Sequence, residues 1–281
     1  MLGLIHTAEP QYYKIDLTGN LVFKDKNILS TSTHYIWKYS VIEEVDYKEW
    51  LVSLEVVKVE QDNIAAIEKT TDFLKITNIP LEKLVLLLNV NGRINEVQNQ
   101  NEILEKWHAL KVDYIASKEE MSPEEKAIIE KCTNDFRQLK SVLNSSLLHF
   151  IFFAPVYDVH PDNTLKENLT FSSVVNSGAI LYNKVKLKID EDSGVKDWVV
   201  KHHCKHYDYG SINLMRKYNK EFKKFLDAPF NYNFQYDATS IYSRKTGLLQ
   251  SSKATIIEEA SSEFIYTCEV NILLMEKGEI L

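Results

Sequence analysis

Between positions 230 and 237 the chain reads Phe-Asn-Tyr-Asn-Phe-Gln-Tyr-Asp, aromatic and polar residues alternating without a fault. Only the two-residue period of a strand puts Phe230, Tyr232, Phe234 and Tyr236 on one face and the four polar residues on the other. A face that apolar must be covered, so the segment commits the chain to a sheet with one buried side. The aromatic row then has two uses. It packs under helices, or on a curved sheet it walls a pocket for an apolar ligand.

The same period recurs along the chain. Tyr12 to Leu17 and Leu21 to Lys24 flank Thr18-Gly19-Asn20, which predicts a short hairpin turn. Thr33 to Ile42 and Trp50 to Val59 predict a long hairpin, and Leu84 to Val90 with Ile94 to Val97 a shorter one around Asn91-Gly92-Arg93. Strands are expected again at Ala179 to Ile189 and Val195 to Tyr207, turning through Glu191-Asp192-Ser193-Gly194. A meander follows at Phe230 to Ile241, Leu248 to Ile257 and Glu263 to Leu274.

Helical spacing appears from Asn63 to about Thr77, from Asn101 to Ala116, and from Ile212 to Leu226. Trp107 on the second of these is expected to anchor its helix to the sheet. Ser122-Pro123-Glu124-Glu125 is the clearest helix start, with a hydroxyl cap, proline in the first turn and acids on the positive end of the dipole. That helix is expected to run close to Phe153. The apolar run from Leu147 to Phe153 either plugs the core or forms an interface. Residues 156–177 lack a period and read as a surface connection.

These elements predict an α+β chain of antiparallel β-hairpins and meander sheets covered by helices, with two long helices in the middle. Residues 1–281 are expected to form one unit. Both parts run hairpin, helix, hairpin, so 11–98 and 178–275 are candidate halves joined by a helical segment at 99–155.

Forty acidic residues against 33 basic ones give a net charge of −7 and a pI near 5.7. That balance argues against nucleic-acid binding by bulk attraction and suits a basic protein partner. No apolar run approaches the ~18 residues of a membrane span. Cys132, Cys204 and Cys268 are too few and scattered for a disulfide framework, and no leader is visible. A cytoplasmic location is expected, unless Met1 stands in place of a removed export signal.

The most chemical-looking run is His202-His203-Cys204-Lys205-His206. On a strand His202, Cys204 and His206 share a face and could offer three zinc ligands. Trp198 and Val200 lie on that same face, and no fourth ligand stands at zinc-like spacing, which favours a packing role. The acidic pairs Glu43-Glu44, Glu119-Glu120, Glu124-Glu125 and Glu258-Glu259 read as solvated. No phosphate-cradling glycine loop and no nucleophile elbow occurs, and no cofactor is expected.

Asn91-Gly92-Arg93-Ile94-Asn95-Glu96-Val97, followed by Glu102 to Trp107, resembles a turn-strand-helix passage in uncharacterised bacterial proteins built from repeated β-hairpin and helix units. Tyr236-Asp237 to Thr246-Gly247-Leu248-Leu249 is similar to their strand-turn-strand passages. The resemblance implies hairpin architecture and no particular activity. The leading expectation is therefore non-catalytic binding of another protein, in the manner of an immunity factor, adaptor or chaperone. Two alternatives stand beside it: a carrier of a hydrophobic small ligand, and a metal-dependent hydrolase at His202, Cys204 and His206. Oligomeric state is left open.

Overall fold

Eleven strands join into one antiparallel sheet: β1 (Gln11–Phe23), β2 (Lys26–Glu44), β3 (Trp50–Asp62), β4 (Lys83–Leu88), β5 (Ile94–Val97), β6 (Leu165–Ser172), β7 (Ile180–Asp190), β8 (Trp198–Lys205), β9 (Asn233–Tyr242), β10 (Leu249–Ser261) and β11 (Phe264–Leu274). The structure is a computed structural model and describes all residues except 1, 6, 8, 47, 63–75, 119, 161–163, 176–179, 191–196, 206–210 and 277–281. The helix expected from Asn63 therefore lies almost wholly outside the described residues, as does the turn at 191–194.

The strand order is β5-β4-β3-β2-β1-β11-β10-β9-β8-β7-β6. Strands β1 to β5 form one consecutive meander and β6 to β10 a second, and β11 lies between β1 and β10. In each meander the longest connection falls between the third and fourth strands. The first of these ends in a 3-10 turn at Ile79–Leu81, and the second carries helix α5 (Ser211–Glu221).

Helices α1 (Gln100–Ala116), α2 (Pro123–Arg137), α3 (Leu139–Ser145) and α4 (Leu147–Phe152) connect the two meanders. The molecule is mostly β, and the second long helix expected from the sequence is three shorter ones. Its start is as read. Ser122 Oγ accepts from the Glu125 amide while the Glu125 carboxylate accepts from the Ser122 amide, a reciprocal capping box. The breaks come at Gln138 and at Ser146, whose backbone is extended (φ −76°, ψ 140°). Without that turn the apolar run beyond Ser146 could not swing from the helical layer onto the sheet.

Two strand expectations need correction. There is no turn at Gly19: β1 runs through it, and the chain reverses at Lys24 and Asp25, both with positive φ. Glycine at 19 serves close packing, since a Cβ there would lie 2.9 Å from Thr31 Oγ1 and 3.1 Å from the Tyr266 hydroxyl. Residues 156–177 are also no mere surface connection, because they contain β6 and bury Val156, Val159, Leu169 and Val175.

The core lies on one face of the sheet. Alternate residues such as Tyr13 and Ile15, Val52 and Leu54, or Leu84 and Leu86 point into it. Helix α4 is its wedge. Phe152 meets Tyr13, Trp37 and Tyr39 of the first meander at ring distances of 4.8, 5.6 and 5.5 Å. Phe150 meets Tyr236 and His202 of the second at 6.2 and 6.3 Å. Trp107 is fully buried, but its partners are on α2 rather than the sheet: the indole donates to Thr133 Oγ1 at 2.9 Å, and the ring lies 5.1 Å from Phe136.

The two outermost strands, β5 and β6, are bridged by side chains instead of a ladder. Asn144 of α3 donates to the Ile94 carbonyl at 2.8 Å. Arg93 donates to the Asn144 carbonyl at 3.1 Å, lies 3.8 Å from the Glu167 carboxylate of β6, and covers the Phe150 ring at 5.2 Å. Both sheet edges thus end against one helical unit, which protects them from pairing with another chain.

Candidate functional site

The histidine-rich strand does not assemble a metal centre from the described residues. His202 and Cys204 both point into the core, and His206 lies outside the described residues. His202 Nδ1 is 3.3 Å from the Tyr236 hydroxyl, and burial lowers its pKa to about 4, so the imidazole is neutral at pH 7. Burial, with Asp237 nearby, raises the Cys204 thiol to about 11, where it is a poor ligand and a poor nucleophile. Among the described residues no group of three His, Cys, Asp or Glu side chains is placed to hold a metal.

The aromatic row of β9 and the residues before it faces inward, where it is packed. Phe234 and Tyr236 are fully buried, with Phe234 5.3 Å from Phe171 and Tyr236 against Phe150. Phe230 packs 5.3 Å from Tyr218 of α5 and stacks with Tyr232 at 6.2 Å.

Sequence reasoning placed Glu258 in water, and the structure buries it completely. Its position on β10 points into the same face as Phe234 and Tyr266, its partners across the ladder. The carboxylate accepts from the Ser173 hydroxyl, the Val174 amide at 2.8 Å and the Tyr232 hydroxyl at 3.0 Å. It therefore pins the chain after β6 to the middle of the sheet.

Burial pushes the Glu258 carboxyl above its ordinary value, and the hydrogen bonds only partly pull it back. The folded chain thus holds this proton more tightly than the unfolded chain, where a glutamate titrates near ~4.3. Its contribution is greatest below that value and falls as pH rises through the folded one. Glu258→Gln cannot titrate, so it is expected to flatten this decline in urea midpoints measured between acid and neutral pH. An unchanged slope would assign the pH dependence to other groups.

A cavity of small-molecule size lies elsewhere, where the sheet passes under α3 and α4. It has a volume of about 470 Å³. Trp37, Val56 and Leu84 of three neighbouring strands form its floor, with Leu81 of the 3-10 turn at one side and Leu143, Leu148 and His149 above. Lys58 and Glu82 also line it, and Lys58 is paired with Glu60 at 2.7 Å.

Beside the helices the wall is uncharged. His149 is held by the Ser146 hydroxyl at 2.8 Å, and burial lowers its pKa to about 4. Its ring lies 5.4 Å from that of Trp37. Trp37 is almost fully buried, yet its indole Nε1 meets no acceptor. A second hollow, of about 550 Å³, lies between residues 2–5 and the strand ends near Trp50, where Lys48 and Asp158 pair at 2.8 Å. No local pattern signals the first cavity, because its wall is drawn from β2, β3, β4 and two helices.

No protein-family model matches the chain, and no curated protein matches it. A solved structure described as "Asymmetric conductivity of engineered proteins" is similar to it at 10% identity, over 95% of this chain and 100% of the other, with a TM-score of 0.23. A score that low carries neither fold nor function.

Proposed function

We propose that this chain is a non-catalytic binding protein whose ligand is a neutral, largely apolar small molecule. The observation that carries this reading is the mostly apolar cavity walled by Trp37, Val56, Leu84, Leu143 and Leu148. Its volume falls in the range of small-molecule sites, about 300–1,000 Å³. His149 is uncharged and Lys58 is paired with Glu60, so neither basic group of the wall favours an anionic ligand.

A basic protein partner has less to rest on. A binding surface needs clustered apolar anchors, and the exposed large hydrophobics are spread over several elements, among them Val57 and Val59 on β3, Val112 and Ile115 on α1, and Ile180 and Tyr182 on β7. The hydrolase reading has no described metal set behind it.

The test is titration with a neutral, environment-sensitive naphthylamine dye, against the chain and against Leu148→Trp, which fills the cavity from α4. The variant is expected to bind at least about tenfold more weakly while keeping its unfolding midpoint, since loss of buried ligand contacts worth ~1.4 kcal/mol gives that factor. Equal affinity in the two proteins would overturn the proposal.

A further inference from the structure

We propose that the outer face of β6, β7 and β8 docks on an anionic lipid surface, independently of the cavity. Lys184, Lys186 and Lys188 alternate along β7 with buried Val185 and Leu187, so all three point outward. Across the ladder Lys186 faces Lys166 of β6, and Lys188 faces Lys201 of β8. All five are exposed. Like charges directly opposite one another destabilise a sheet. Here two such pairs stand side by side in a chain whose net charge is −7.

The rest of the outer face is arranged differently. On β1 to β3 several outward charges are paired, Lys14 and His34 with Asp16 and Lys38 with Glu55. Lys166, Lys184, Lys186 and Lys188 form no ion pair among the described residues. The nearest outward carboxylate on β9, Asp237, is engaged by His203. The charge of Lys166, Lys184, Lys186 and Lys188 is therefore concentrated at one end of the sheet.

The chemistry of the face selects the occupant. It is all lysine and no arginine, so it offers point charges rather than the planar fork that suits bidentate recognition of phosphates and bases. It is an open sheet face, without the groove and row of stacking aromatics that hold a single nucleic-acid strand. The outward row continues past Lys184 to Tyr182, 72% exposed, and Ile180, 54% exposed. A tyrosine beside an aliphatic side chain suits the headgroup level of a bilayer, where an amphipathic ring has both environments. Lysines beside them would sit among anionic headgroups.

The experiment is cosedimentation with phosphatidylcholine vesicles, with and without phosphatidylserine. Binding is expected only when phosphatidylserine is present, and it should weaken as salt shortens the screening length below about 8 Å. Each lysine near an anionic surface contributes about fivefold, so Lys184→Gln/Lys186→Gln/Lys188→Gln should lose about 100-fold. Its thermal midpoint should not fall, because the substitutions relieve repulsion. If the triple variant does not fold, Lys186→Gln alone should lose about fivefold. Equal binding to neutral vesicles, or anionic binding unaffected by these changes, would overturn the proposal. So would capture by a single-stranded polynucleotide that anionic vesicles fail to displace.

Discussion

Phe150→Ala is expected to lower the unfolding free energy by about 3–5 kcal/mol, the usual cost of emptying a buried aromatic site. The ring is fully buried and is the contact through which α4 reaches Tyr236, His202 and the Arg93 guanidinium. Arg93 Nη1, Asn144 Oδ1 and His202 Nε2 are buried polar atoms without partners, the first and last on groups that touch this ring. A water entering the hole would find donors and acceptors there, which places the loss toward the lower end of the range. Phe150→Leu, which keeps most of the volume, should lose about 1–1.5 kcal/mol. Urea unfolding distinguishes these outcomes. A loss under about 1 kcal/mol for the alanine variant would mean that the sheet closes without this wedge.

Trp107→Ala should be comparably damaging, at about 3–5 kcal/mol, but its damage should be local first. The indole joins α1 to α2 through Thr133 and Phe136. Thr133 still donates to the Ile129 carbonyl when the indole is gone, so the helix itself keeps its bond. Amide exchange should therefore quicken in α1 and α2 before it does in β1 or β11. Uniform acceleration across the sheet would show instead that the helical pair and the sheet unfold as one.

Elements with a strong local signal could be read directly from the sequence. The Ser122 helix cap, the Asn91-Gly92 turn and the alternation from Phe234 onward all appear in the structure. Misreadings arose where a distant residue decides. Gly19 resembles a turn residue until Thr31 and Tyr266 are seen to crowd it. Strand β6 escaped notice because Glu167 breaks its apolar face, and that acid is there to approach Arg93. Glu258 looks solvated beside Glu259 because adjacency in a strand says nothing about which of two neighbours faces in. The cavity was not legible at all, whereas the Lys184-Lys186-Lys188 alternation was present to be read.

The insertion of β11 between β1 and β10 also sets a clock. About 240 residues separate the end of β1 from the start of β11, and synthesis at ~5–20 residues per second takes roughly 12–50 s to cover them. Throughout that interval β1 can pair with β2 on one side only, leaving thirteen residues of unpaired backbone on the other. An edge of that length is a template for unwanted association. Lys14, Asp16 and Asn20 interrupt its apolar character on the solvent side, and Gly19 weakens it as a strand. The nascent chain thus spends most of its synthesis as sheets awaiting a common neighbour, and these four residues lie on the strand that waits longest.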